Sequence, residues 1–345
     1  MPIRIRLADL EADRLSLIDL HQRNLNAGAD KGRFDWLYHG NPHGKALAWL
    51  AFDEESGQGI GTAAAFPRQV YVGDSLRVGF VLGDFCIEPR FRSLALALQL
   101  QRACLEKLDS VGSALTYDFP SDRMMSIYKR MGIPATTQFV RWAKPLRADR
   151  QIGKLIKQPN LSKWLAAPVN RLMEWSDLPN ETEDGCTIAG HEHDCGEEFT
   201  QLARSIGSLY GSCVERSAAY LNWRFRKHPF VHHELLTARR HGELVGYVVF
   251  AHMENDARVA DLFGINDTSI WTLLLAAVCQ RLRAQSVITL SLPALATNPW
   301  VKLLRKLGFR DRERGPIIVC DFRDDSTTSN SVVPPLFLTD GDRES

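Results

Sequence analysis

The sequence has no apolar run of about 18 residues, the length a membrane helix needs. Its longest candidate, Ile270 to Cys279, is interrupted by Thr272 and followed by Arg281 and Arg283, which predicts a buried helix. The first residues, MPIRIRLADLEADR, are charged and lack the apolar core of a signal peptide, so a cytoplasmic location is expected. Charge of one sign is also missing. Lys and Arg number 42 against 41 Asp and Glu, a net charge of +1, so no global field draws the chain to nucleic acid. The 7 cysteines are odd in number and scattered, which suits reduced thiols and not a disulfide framework. Cys186, His191, His193 and Cys195 are ligand types for zinc, but they form no CxxC or HxxxH pair. Glu192, Asp194, Glu197 and Glu198 surround them, so an acidic solvated loop is expected there and no metal site.

What is there is ordinary globular composition, 45% hydrophobic and 24% charged, in 345 residues, a length that suits two domains. Ile3 to Arg6 alternates like a strand, and Leu10 to Leu25 has helical spacing with Asp9 placed to cap it. Leu47 to Phe52 and Ile60 to Phe66 are strand-like around a turn at Gly57 to Gly59. A strand at Arg77 to Ile87 ends at Pro89. Then follow a helix from Ser93 to Leu108, a strand from Ser113 to Tyr117, a helix from Ser121 to Met131 closed by Gly132, and a strand from Phe139 to Ala143.

The same order then returns. Helices are expected over Glu198 to Ile206 and Ser217 to Arg226. Strands are expected over Glu234 to Ala238, Leu244 to His252 and Ala257 to Ile265. A helix over Thr268 to Arg283, a strand over Val287 to Leu292, a helix over Trp300 to Leu307 and a strand over Ile317 to Phe322 complete it. Phe34-Asp35-Trp36-Leu37-Tyr38-His39-Gly40-Asn41-Pro42 aligns without a gap to Leu221-Asn222-Trp223-Arg224-Phe225-Arg226-Lys227-His228-Pro229. Gly61 matches Gly246, Asp84 matches Asp261, and Gly132 matches Gly308, at separations that shrink slowly along the chain as loop trimming would cause. The sequence therefore predicts a duplication: a first domain over 1–145, a linker or helical arm over 146–184, a second domain over 185–323 and a tail over 324–345. The arm reads either as interdomain packing or as a basic amphipathic surface. Pro159 and Pro168 break its apolar face and favour packing. The tail is polar at first, but Val332-Val333-Pro334-Pro335-Leu336-Phe337-Leu338 suggests that it docks.

The chemistry concentrates in Asp84-Phe85-Cys86-Ile87-Glu88-Pro89-Arg90-Phe91-Arg92-Ser93-Leu94-Ala95-Leu96-Ala97. A strand ends, proline turns the chain, and a helix starts with small residues at alternate positions. Amides at a helix start receive anions, and an adjacent Arg adds charge-assisted hydrogen bonds. Arg92-Ser93-Leu94-Ala95-Leu96-Ala97 resembles the acetyl-CoA loop of the GNAT superfamily, [Q/R]-x-x-G-x-[G/A], with Ser93 and Ala95 where glycines are common. Tyr128-Lys129-Arg130-Met131-Gly132-Ile133 resembles that superfamily's Y-x-x-x-G-[FI] helix end. The resemblance covers Ile3 to Lys144, with a fainter copy over Glu198 to Phe322. It implies two α/β (α+β) units in tandem, each a central, mostly antiparallel twisted sheet flanked by helices.

By this resemblance the chain is an acyl-CoA-dependent N-acyltransferase acting on a small-molecule amine, such as an amino sugar. Pyrophosphate of acetyl-CoA or another acyl-CoA would sit on the amides of Arg92, Ser93, Leu94, Ala95, Leu96 and Ala97. Pantetheine would pair with the backbone at Phe85, Cys86 and Ile87. Asp84 and Glu88 are the nearby carboxylates to take a proton from the amine, and alternation does not fix which points inward. Tyr128 is the candidate acid for the leaving thiolate, because a phenol near about 10 can protonate a thiolate near about 8.5 at modest cost. A packing role fits Tyr128 equally well, and a structural role fits Asp84, since Asp261 repeats it. In the second copy Asn266 to Thr272 has no Arg and no small-residue ladder, and Leu304 stands at the Tyr position. That copy reads as degenerate, shaping the acceptor groove through Trp223, Arg224 and Arg226 or holding Trp223 in its core. Two further functions stay open: a non-catalytic acyl-CoA or metabolite sensor, and an aminoacyl-tRNA-dependent peptidoglycan ligase.

Overall fold

A computed structural model describes residues 2–148, 152, 168–171, 185–320 and 335–344. Most of the arm over 146–184 and the first half of the tail, including Val332 to Pro334, lie outside the described residues. The first unit runs β1 (Ile3–Leu7), α1 (Arg14–Asn24), α2 (Lys31–Phe34), β2 (Leu47–Asp53), β3 (Gly59–Val72), β4 (Ser75–Ile87), α3 (Leu94–Ser110), β5 (Leu115–Asp118), α4 (Asp122–Arg130) and β6 (Thr137–Pro145). The second runs β7 (Cys186–Gly190), α5 (Glu197–Ile206), β8 (Ser212–Val214), α6 (Ala218–Leu221), β9 (Glu234–Arg240), β10 (Glu243–Met253), β11 (Asp256–Gly264), α7 (Thr268–Ala284), β12 (Thr289–Leu295), α8 (Val301–Lys306) and β13 (Arg310–Cys320), with β14 (Leu336–Phe337) last. The architecture is the expected one, two α/β units in tandem, each a mainly antiparallel sheet with helices on both faces.

Local chemistry repeats with the fold. Asp30 caps α2 by accepting from the Arg33 amide, and Ser217 caps α6 by accepting from the Tyr220 amide. Each short helix then widens into a π-turn, Asp35–His39 and Asn222–Arg226. Gly132 and Gly308 close their helices at φ 77 and 86, as their left-handed positions require. One cap differs from expectation. Asp13 stands at the N-cap position of α1, while Asp9 folds back to accept from the amides of Glu11 and Ala12 at 2.9 and 3.0 Å. Aspartate favours such local turns over a distant cap.

The sheet does not keep the units apart. A single 14-stranded sheet runs β1-β2-β3-β4-β5-β13-β6-β12-β11-β10-β9-β7, with β8 on β3 and β14 on β8. The last strand of the first unit, β6, pairs antiparallel with β12, and the last strand of the second, β13, pairs antiparallel with β5. The two exchanged strands also pair with each other. Each unit thus completes the other's sheet, and the exchange leaves neither an open edge there.

In both units the pair of parallel strands at the centre parts company. β4 meets β5 only at Gly79 to Val81, then continues unpaired on that side to Ile87. Gly79 allows the close approach: a Cβ there would lie 2.6 Å from the Leu115 carbonyl oxygen. β11 meets β12 only at Asp256 to Arg258. This second fork is filled by the tail. Thr339 bridges to Ala294 of β12, and Thr339 Oγ1 donates to Asp261 of β11 at 2.9 Å. Leu338 is fully buried and its carbonyl accepts from Asn298 at 2.9 Å. Upstream, β14 lies parallel to β8. The docked part of the tail is therefore Leu336 to Glu344, a strap that crosses from the second unit to the first.

Candidate functional site: an open fork in the first unit

Among the described residues no strand enters the fork of β4 and β5 in the first unit, although the end of the strap packs beside it. β4 bulges where its register against β3 shifts, between Gly83 and Cys86, and Asp84 takes φ 46 within the bulge. Phe85 is half-buried against the α3 face. Cys86 points to the α1 face, where burial, then the Asp84 charge, push its thiol up to about 12. Such a thiol is inert near neutral pH. Ile87 is buried. The backbone of Phe85 to Ile87 is thus held by β3 on one side and open toward β5 on the other.

Below the fork, Pro89–Phe91 forms one 3-10 turn and α3 begins. Ser93 caps the helix and takes the Leu96 amide at 3.2 Å; its carbonyl takes the Ala97 amide at 3.1 Å. The amides of Leu94 and Ala95 make no hydrogen bond among the described residues. Arg92 Nε donates to the Ile87 carbonyl at 2.9 Å, which ties its guanidinium to the end of β4 and leaves the fork of two nitrogens free for an anion. Of the six residues expected to hold pyrophosphate, Arg92, Ser93, Leu94 and Ala95 are at the exposed helix start. Leu96 and Ala97 are buried with their amides satisfied.

Asp84 and Glu88 both reach the α1 face. Asp84 accepts two bonds from Arg33, at 2.8 and 2.9 Å, and one from Tyr38 at 2.8 Å. Burial raises its pKa, but Arg33, His21 and these bonds outweigh burial and hold it below the ordinary carboxylate range. Glu88 is held by Arg23 and Asn24 at the end of α1. Both carboxylates are therefore already paired.

Tyr128 lies across the sheet from them, fully buried on the α3 face. Its hydroxyl donates to Asp118 at 2.6 Å and accepts from Gln101 at 3.1 Å. Asp118 ends β5, one residue past the last pairing with β4. Burial pushes its pKa up to about 7, with the Tyr128 bond offsetting part of the rise. The sequence reading missed Asp118, because a lone Asp closing a short apolar strand reads as a turn residue.

It expected the tail to dock but did not place the strap beside this fork. Tyr117 donates to the Asp342 carbonyl at 2.9 Å, and Arg68 to the Arg343 carbonyl at 3.2 Å. Glu344 then lies beside the bulge: a Cβ on Gly83 would be 2.5 Å from its Cγ. Burial raises the Glu344 pKa, with Asp84 adding to the rise. Trp223 is a core residue. Arg224 is buried and donates to the Gly341 carbonyl at 2.8 Å, and Arg226 donates to the Glu192 and His233 carbonyls. Arg224 therefore anchors the strap.

No protein-family model matches the sequence, and no curated protein matches it. Solved structures do. A protein of Enterococcus faecalis V583 described as a probable N-acyltransferase superposes with a TM-score of 0.67 at 14% identity, covering 93% of this chain and 73% of that one. A GCN5-related N-acetyltransferase from Anabaena variabilis gives a TM-score of 0.66 at 11% identity, over 93% and 73%. A tandem GNAT protein from the clavulanic acid biosynthesis pathway gives 0.58 at 12% identity, over 94% of this chain and 100% of that one.

Proposed function

We propose that this tandem GNAT fold transfers an acyl group from an acyl-CoA, acetyl-CoA in the first instance, to the amine of a small acceptor, and that the first unit alone carries the chemistry. One observation carries the proposal: among the described residues no strand pairs with β4 beyond Val81 on the β5 side, while the equivalent second fork takes the chain's own strap against its strand β12.

The donor set suits the co-substrate. Leu94 and Ala95 amides and Arg92 offer hydrogen-bond donors to a pyrophosphate, and the free edge of β4 from Phe85 to Ile87 offers a strand-like partner to an amide-bearing chain. When bound, acyl-CoA supplies the acyl group as a thioester, whose C–S bond breaks as the amine's C–N bond forms. The residues of the chain handle the protons. Tyr128 holds the proton for the departing sulfur, and Asp118, with its pKa near about 7, can resupply it around neutrality. Glu344, raised by burial, is better matched to accept the ammonium proton than Asp84, whose carboxylate is depressed. Asp84 holds the bulge in this reading, and Glu88 fixes the end of α1.

Acetyl-CoA should raise the melting temperature of the full chain, and Arg92→Glu should remove the rise. Absence of a shift in the parent protein would sink the proposal. Release of thiol from acetyl-CoA on adding an amine separates a transferase from a binding protein, and Tyr128→Phe should slow that release by roughly a hundredfold without changing the thermal shift.

A further inference from the structure

Resting on the acyl-transfer reading, we propose that the acceptor amine also bears an anionic group, a carboxylate or a phosphate, and that a cavity at the seam of the two units receives it. The cavity measures about 280 Å³. Four guanidiniums line it: Arg141 from β6, Arg258 from β11, Arg314 from β13 and Arg343 from the strap. Among the described residues one carboxylate, Glu313, shares the lining. Both units and the strap therefore contribute, and the cavity exists because β6 and β13 are exchanged.

These arginines have donors to spare. Arg141 bonds Glu313, Arg258 bonds Asp340, and Arg314 bonds Asp311 and Gln138. Each guanidinium carries five N–H donors, so one carboxylate partner leaves some unused. Arg343 goes further: it makes no ion pair among the described residues and stands 4.9 Å from the centroid of the Phe119 ring. Arg343 thus brings a positive charge to the wall without a carboxylate partner among the described residues, and an oxyanion neutralises it while taking bidentate bonds. An uncharged amine does neither.

Position links this cavity to the fork. Phe119, in its wall, follows Asp118, and Arg343 precedes Glu344. One residue of extended chain spans roughly 3.5 Å. The wall of the cavity is thus joined through the backbone to residues proposed to move protons, and the acceptors to test are an amino acid and an aminoalkyl phosphate. The anion site is on the far side of β5 from the α3 start, so the phosphates of acyl-CoA do not compete for it.

The test uses the full chain and matched amines: alanine against ethylamine, and O-phosphoethanolamine against ethanolamine, each with acetyl-CoA and a thiol-release readout. The anionic member of at least one pair should show a kcat/KM higher by roughly tenfold or more, and which pair responds tells carboxylate from phosphate. Arg343→Ala should raise KM for that member by roughly tenfold and leave the acetyl-CoA thermal shift intact, with Arg343→Lys falling between. Equal rates within both pairs, or an unchanged KM in Arg343→Ala, overturns the proposal. If no amine is turned over, inorganic phosphate and alanine decide by thermal shift: a rise in the parent that is lost in Arg343→Ala supports the site, and equal behaviour overturns it. Loss of the acetyl-CoA shift itself strikes the acyl-transfer reading instead, and the phosphate and alanine shifts then judge the cavity separately.

Discussion

Trp36 and Trp223 each donate the indole N–H to the other's backbone carbonyl, at 3.0 and 2.8 Å, across a separation of 187 residues. Their rings stack at 5.1 Å between centroids. The pair is the local twofold of the duplication, and it joins the two units through identical bonds made in opposite directions. Replacing either with Phe keeps most of the apolar area and removes one buried donor. Each single variant should lose about 1–3 kcal/mol in urea unfolding. The double variant should lose less than the sum, because the second substitution removes half of an interaction already broken. Strict additivity would show that the two rings do not act as a pair.

Asp84 sets the shape of the fork, and its substitution separates charge from backbone. Its carboxylate, itself buried, neutralises half-buried Arg33, so removing the charge should cost about 3–5 kcal/mol. Asn tolerates the positive φ of this position and Ala does not, so Asp84→Ala should be destabilised by about 1–2 kcal/mol more than Asp84→Asn. The folded pKa is depressed, so the carboxylate's contribution is present above the unfolded value and is lost as pH falls through the folded one. The gap between wild type and Asp84→Asn should therefore be full above about pH 4 and close below it. A gap that widens in acid would contradict the ion pair.

Much of this was legible in local residue types. The run from Phe34 to Pro42 and its copy each start on the last residue of a short capped helix and carry its π-turn, local structure decided within about ten residues, so they align without a gap. Asp84 and Asp261 were matched correctly as positions and both accept a buried Tyr hydroxyl. The tyrosines come from different elements, Tyr38 after α2 and Tyr247 on β10. The exchange of β6 and β13 was not legible, because alternation along a strand says which face is buried and not which strand lies beside it. Asp118 and Tyr128 could be paired only through the fold, and the strap's place in the second fork depends on Arg216, Asp261 and Asp342, which are far apart in sequence.

Asp118 offers a cleaner titration. Its folded pKa is about 7 against an ordinary 3.8, so the folded state holds its proton more tightly than the unfolded state. The stability this gives is full below the unfolded pKa and is lost as pH rises toward about 7. Asp118→Asn cannot ionise, and its melting temperature relative to wild type should climb between about pH 4 and pH 7 and then level off. A difference independent of pH would mean that Asp118 ionises normally. In the acyl-transfer reading the same variant should flatten the pH dependence of thiol release near pH 7, which a purely structural residue would not do.

Asp342 of the strap and Asp261 of β11 are buried carboxylates that share one guanidinium, and they should not be equal. Arg216 bonds Asp261 at 3.2 and 3.3 Å and Asp342 at 2.8 Å. One positive charge cannot offset two desolvated negative ones. Burial raises the Asp342 pKa, with the Asp261 charge adding to the rise and Arg216 opposing it. Asp342 is thus pushed toward its protonated form, while Asp261 also accepts from Tyr247 and Thr339 at 2.9 Å each. Asp342→Asn preserves most acceptor geometry and should cost less than about 1.5 kcal/mol, whereas Asp261→Asn should cost about 3–5 kcal/mol. Chemical unfolding of the two variants at pH 7 measures the order directly. If Asp342→Asn proved the more damaging, the charge on Arg216 would be balanced by the strap itself, and the strap would be the chief electrostatic support of the second unit.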